Sequence, residues 1–131
     1  MYRWTKEWLM TVRPDALVPV PVHKKRMKKR GYNQAAVLAE RLSAYTGIPV
    51  LENWLVREGD TAPLKDLGAQ ERQNNLKKAF KIVRNDVKLI TIVIIDDIYT
   101  TGSTVDAIAQ VIRQHSDCRV YVLTAAIGRG N

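Results

Sequence analysis

Residues 90–95 read Ile-Thr-Ile-Val-Ile-Ile, a near-continuous β-branched run that ends at two adjacent carboxylates, Asp96 and Asp97. Such a run predicts a central strand buried on both faces, the habit of a parallel sheet. Parallel neighbours need long crossovers, usually helices, so strands and helices must alternate along the chain. They do. Val105, Ile108, Ala109, Val111 and Ile112 mark the buried face of an amphipathic helix. Residues 120–126 then read as a last strand.

The upstream half repeats this order. Leu17 to Val22 is a short apolar run whose prolines confine it to a strand that ends quickly or borders an irregular loop. Asn33 can cap a helix carrying Val37, Leu38, Ala39, Leu42 and Tyr45. Gly47 suits the left-handed residue after that helix, and Pro49 stops its continuation. Residues 48–56 read as a second strand. Residues 57–78 are polar and long, the mark of a lid or binding loop, here expected to be flexible. From Ala69 onward this stretch can form a helix. Ala79 to Val83 is apolar again, and Asn85-Asp86 turns the chain. Trp4 and Trp8, four apart, place an apolar face on an N-terminal helix over residues 1–13. There is no internal repeat. The expected fold is α/β, a doubly wound and mostly parallel sheet, in one domain of 131 residues.

Composition narrows the class. Hydrophobic residues at 46% and charged residues at 26% exclude a disordered or collagen-like chain. No apolar run reaches the ~18 residues of a membrane helix, so no membrane insertion is expected. Residues 1–13 lack the pattern of a signal peptide, and a cytoplasmic protein is expected. Cys118 is alone, which leaves no disulfide framework within the chain and no Cys-rich metal site. The net charge of +8 favours anionic partners. Lys24, Lys25, Arg26, Lys28, Lys29 and Arg30 supply most of it, and the rest of the chain nets only +2. This block lies between the first strand and the Asn33 helix. In a parallel α/β sheet, loops at the carboxyl ends of strands are where ligands bind.

The second such loop follows the central strand. Thr100, Thr101, Ser103 and Thr104 bring hydroxyl donors to the start of a helix, whose free N–H groups and dipole favour an anion. Gly102 allows close backbone approach. Asp96 and Asp97 do not suit that same phosphate. They suit a vicinal diol such as that of ribose, or a magnesium ion. Taken singly, the carboxylates could simply end a strand and the hydroxyl run could simply cap a helix. Joined within nine residues, they describe a ribose 5-phosphate site.

The segment VIIDDIYTTGST, Val93 to Thr104, resembles the phosphoribosyl pyrophosphate (PRPP) binding motif of type I phosphoribosyltransferases. The motifs VPVPVH, RGYNQ, RQNNLKKAF and DDIYTTGST, in this order between about Arg13 and Gly128, resemble the competence protein ComF family. The resemblance implies that Asp96 and Asp97 are the catalytic pair that holds the ribose hydroxyls, with magnesium nearby and reached directly or indirectly. It implies that Thr100, Thr101, Gly102, Ser103 and Thr104 surround the 5-phosphate. His23, Lys24, Lys25 and Arg26 fall in the pyrophosphate loop, where His23 is a structural or phosphate contact rather than a base. His115, late in a helix, reads as a surface residue. Residues 57–78 take the place of the loop that closes over PRPP, and closure would exclude water from an activated sugar. Thr100 stands where some purine salvage enzymes place an acidic residue, which argues against a purine acceptor. Many ComF relatives carry a four-cysteine zinc element ahead of this domain. Cys118 alone cannot form it, so no zinc is expected and the chain is a short member or a fragment.

The implied reaction is displacement of pyrophosphate from PRPP by a nitrogen nucleophile, through a cation-like sugar carbon. Implied partners are PRPP or ribose 5-phosphate, single-stranded DNA and other competence proteins, with a homo-oligomer as a further assembly. The rival class is a non-enzymatic competence factor binding single-stranded DNA or proteins. The aromatic residues are not interleaved with the basic run as a base-stacking platform requires.

Overall fold

The computed structural model describes residues 2–21, 33–58, 68–83, 89–99 and 103–127. In chain order the elements are α1 (Tyr2–Val12), β1 (Ala16–Pro19), α2 (Gln34–Thr46), β2 (Leu55–Arg57), α3 (Ala69–Lys78), β3 (Phe80–Ile82), β4 (Thr91–Tyr99), α4 (Ser103–His115) and β5 (Arg119–Ile127). The main sheet has the order β1-β4-β5 and all its pairs are parallel. Leu17 stands beside Val93 in β1–β4, and Ile94 beside Val122 in β4–β5. On the far side of β1, a single parallel bridge joins Leu17 to Val50.

Alternation along β4 divides the core, because successive strand residues face opposite sides. Val93 and Ile95 pack with Leu17 against Leu9 of α1 and Ala39 and Leu42 of α2. Ile92 and Ile94 pack with Val18 and Val20 against Ile108 and Ile112 of α4, and against Trp54, Leu55 and Phe80. Residues 92–95 are fully buried, as a strand covered on both faces must be. Truncating an isoleucine in such a core to alanine typically costs about 2–5 kcal/mol. The helices lie on both faces, so the sheet is doubly wound.

Local signals explain the helix ends. The Asn33 side chain accepts hydrogen bonds from the N–H groups of Ala35 and Ala36 and starts α2. Gly47, at φ 81°, ends it and donates its N–H to the Ser43 carbonyl. That left-handed φ favours glycine. Residues 69–78 of the expected flexible stretch are helical, as their composition allows, with Lys77 and Lys78 in the last turn complementing the helix dipole. Residues 59–67 lie outside the described residues.

Three expectations need correction. Residues 48–56 are not one strand. Leu17 exchanges hydrogen bonds with Pro49 and Leu51, but Asn53 adopts φ 64° and breaks the run. Residues 55–57 then pair antiparallel with β3 in a separate two-stranded sheet. The acidic pair does not end its strand either, since β4 continues to Tyr99 and stays paired with β5 through Ile127. Tyr45 is exposed rather than part of the apolar face of α2, and the Lys6 ammonium sits 4.7 Å from its ring centre.

Among the described residues, no helix is long and apolar enough to cross a membrane. Trp8 packs against the α1–α2 core and meets Tyr121 edge-on at 6.0 Å.

Candidate functional site

β1 and β4 are neighbours, yet the helices that follow them lie on opposite faces of the sheet. α2 packs with Leu17, Val93 and Ile95, and α4 with Ile92 and Ile94. This reversal opens a crevice at the carboxyl ends of the two strands, the place where open α/β sheets take their ligands. The last β1–β4 partners are Pro19 and Ile95. One residue on, the Val20 N–H still donates to the Ile95 carbonyl at 2.8 Å. Beyond that point β4 keeps only β5 as a neighbour.

Asp96 is the first residue of β4 past this seam. Its relative exposure is 8%, and it is the only buried charged residue among the described residues. Burial of a carboxylate is unfavourable unless hydrogen bonds or cations compensate it, and Asp96 has polar interactions within the chain. On the β5 side it stands level with Thr124. Asp97 follows in the backbone of β4, but its side chain lies outside those described. Ser103 opens α4 and Thr104 is half-buried in the first turn, so the hydroxyl run does feed a helix N-terminus. Thr100, Thr101 and Gly102 lie outside the described residues, as do His23, Lys24, Lys25 and Arg26. The ends of their segments are fixed. Pro21 and Asn33 flank the first and Tyr99 and Ser103 the second, all at the carboxyl side of the sheet. His115 is exposed at the end of α4, as its sequence position suggests.

Sequence reading misses two features here. The first is a second role for Asn33. Besides capping α2, its Nδ2 donates to the Val20 carbonyl at 3.1 Å. The cap is legible from residue type, whereas the partner 13 residues upstream is not. The second is a cavity of about 430 Å³ beside the carboxyl end of β1, with Pro19, Asn33, Glu40, Glu52, Asn53 and Arg57 in its wall. There Glu52 is hydrogen-bonded to Glu40, which raises the Glu52 pKa, and desolvation and the Glu40 charge push it the same way. Arg57 lies over the Phe80 ring at 5.5 Å. No sequence spacing announces this pairing, because α2 and the 52–53 turn meet only in the fold.

Comparison with known proteins places these motifs in a lineage. The chain is 38% identical to Competence protein F of Haemophilus influenzae over 103 residues, 77% of this chain and 45% of that protein. It is 34% identical over 104 residues to Competence protein ComFC of Bacillus subtilis, 71% of this chain and 37% of that one. The chain belongs to the ComF family. Another ComF-like relative is the DNA utilization protein YhgH of Escherichia coli K12, 37% identical over 109 residues, 83% of this chain and 48% of the relative. The chain thus spans less than half the length of these curated relatives. No protein-family model matches it. Among solved structures it is similar to a purine phosphoribosyltransferase from Pyrococcus horikoshii, with a TM-score of 0.59, 17% identity, and coverage of 96% of this chain and 69% of that one. The ComF domain therefore has the type I phosphoribosyltransferase fold.

Proposed function

We propose that this ComF domain binds PRPP or another ribose 5-phosphate compound at the crevice between β1 and β4, and transfers the phosphoribosyl group to a nitrogen nucleophile. The observation that carries the reading is Asp96, a carboxylate buried at the switch point and joined through Ile98-Tyr99 to a hydroxyl-rich helix start. Asp96 and Asp97 accept from the ribose hydroxyls. Thr100 to Thr104 donate to the 5-phosphate from backbone and side chain. His23, Lys24, Lys25 and Arg26 hold the departing pyrophosphate.

The donor chemistry suits magnesium. This ion takes one or two carboxylates together with phosphate oxygens and water, and the adjacent pair Asp96 and Asp97 is a donor set of that size. Among the described residues, no group of three or more His, Cys, Asp or Glu side chains forms a metal cage, so the ion belongs with the pyrophosphate. When bound, it neutralises charge on the leaving group.

The setting we propose is cytoplasmic handling of DNA during competence, in line with the names of the relatives. The basic block gives a second reading some support, since +8 on a small domain favours phosphate backbones. Titration calorimetry with PRPP and magnesium, run beside single-stranded DNA of matched charge, separates the two. PRPP at 100 times its dissociation constant should also add about 2.7 kcal/mol to the unfolding free energy. Heat and a melting shift with DNA alone would favour the binding-factor reading.

A further inference from the structure

We infer that Asn33 is a positioning residue that sets the spacing between the two ends of the basic connection, and thereby its grip on a pyrophosphate group. This rests on the function proposed above. The geometry lies wholly in described residues. Asn33 Oδ1 accepts from the N–H groups of Ala35 at 2.9 Å and Ala36 at 3.3 Å, while Nδ2 donates to the Val20 carbonyl at 3.1 Å. Only one orientation of the amide satisfies all three partners, because the oxygen must face two donors and the nitrogen an acceptor.

Val20 is the relay. It is level with Asp96, one residue past the Pro19–Ile95 pair, and its N–H is already bound to the Ile95 carbonyl. A single side chain therefore ties the start of α2 to the last point at which β1 is held against β4. Leaving this seam, the chain crosses the block with six cations and returns to the helix at Asn33. A helix cap alone needs only the Oδ1 bonds. The bond to Val20 is additional, and it fixes the closure of the connection itself.

Two variants divide the roles. Asn33→Ser keeps a capping oxygen, adds no charge and removes the Nδ2 donor. Asn33→Ala removes both. Calorimetry would measure the affinity of each protein for inorganic pyrophosphate with magnesium and for ribose 5-phosphate, with melting temperature recorded alongside. Expected is a loss of roughly three- to tenfold in pyrophosphate affinity for both variants, the worth of one hydrogen bond. Ribose 5-phosphate affinity should stay within about twofold, since that ligand uses the β4–α4 loop. Melting should fall clearly for Asn33→Ala only. If pyrophosphate affinity instead follows melting temperature, unchanged in Asn33→Ser and lowered in Asn33→Ala, Asn33 is only a cap and the inference is overturned. If the unaltered protein binds neither ligand, the function proposed above falls, and this inference with it.

Discussion

Asp15 and Asp96 stand at opposite ends of the β1–β4 seam, and they meet different surroundings. At the amino end, Asp15 is exposed and its Oδ2 accepts from the N–H groups of Ile90 at 2.7 Å and Thr91 at 2.9 Å. Its own N–H donates to the Thr91 carbonyl. That carboxylate is a joint, and its place beside solvent keeps desolvation small. At the carboxyl end, Asp96 is drawn into the sheet at 8% exposure, where β1 has stopped. A joint has no need of such burial. The same residue type thus fastens one end of the seam and marks the other as a place for chemistry.

The sharpest way to break this contrast is Asp96→Asn. Asparagine keeps the size and an acceptor oxygen but loses charge assistance, worth ~1.5–3 kcal/mol for hydrogen bonds to charged groups. PRPP affinity should drop about tenfold to a hundredfold, with melting temperature held or raised because a buried charge has gone. A melting loss with unchanged affinity would make Asp96 a joint as well. Next comes Asp15→Ala, which should lower stability by about 1 kcal/mol, the scale of exposed hydrogen bonds, and leave PRPP affinity within about twofold. An affinity loss there would tie the site to the amino end of the sheet.

The smallest effect concerns Glu52. Its folded pKa lies above the unfolded value, chiefly through the hydrogen bond with Glu40. The group therefore adds stability that is fully present below the unfolded carboxyl range and is lost as pH rises through the folded value. Denaturant titrations between about pH 4 and 7 should show Glu52→Gln gaining a few tenths of a kcal/mol at neutral pH, the scale of exposed pairs. The variant should also lose that part of the pH slope. An unchanged slope would show that the two carboxyl groups do not share a proton.

Much of the scaffold was legible because its signals are local. The β-branched run of β4, the Asn33 cap, the Gly47 turn and the spacing of Val105, Ile108 and Ile112 each report a short stretch of backbone or one buried face. The departures come where pairing is long-range. Aspartate disfavours strands, so the sequence suggests an end at Asp96, whereas β5 carries β4 three residues further. The strand expected over 48–56 fails at Asn53, a residue type tolerant of the left-handed region. Three-residue strands such as β2 and β3 are too short to reveal a period. In the candidate site, Asp96 and the helix start announced themselves by residue type. The Asn33–Val20 bond and the Glu40–Glu52 contact did not, because each joins elements that become neighbours only after folding.

The pairing of β1 with β4 also dictates an order of assembly. The bonds of Asp15 span 75 and 76 residues, so a growing chain holds β1, α1 and α2 long before their partner exists. Leu9, Leu17, Ala39 and Leu42 wait for Val93 and Ile95 to complete their core. Until β4 leaves the ribosome there is no seam and no crevice, and the binding site comes into being in the same closure that finishes the sheet.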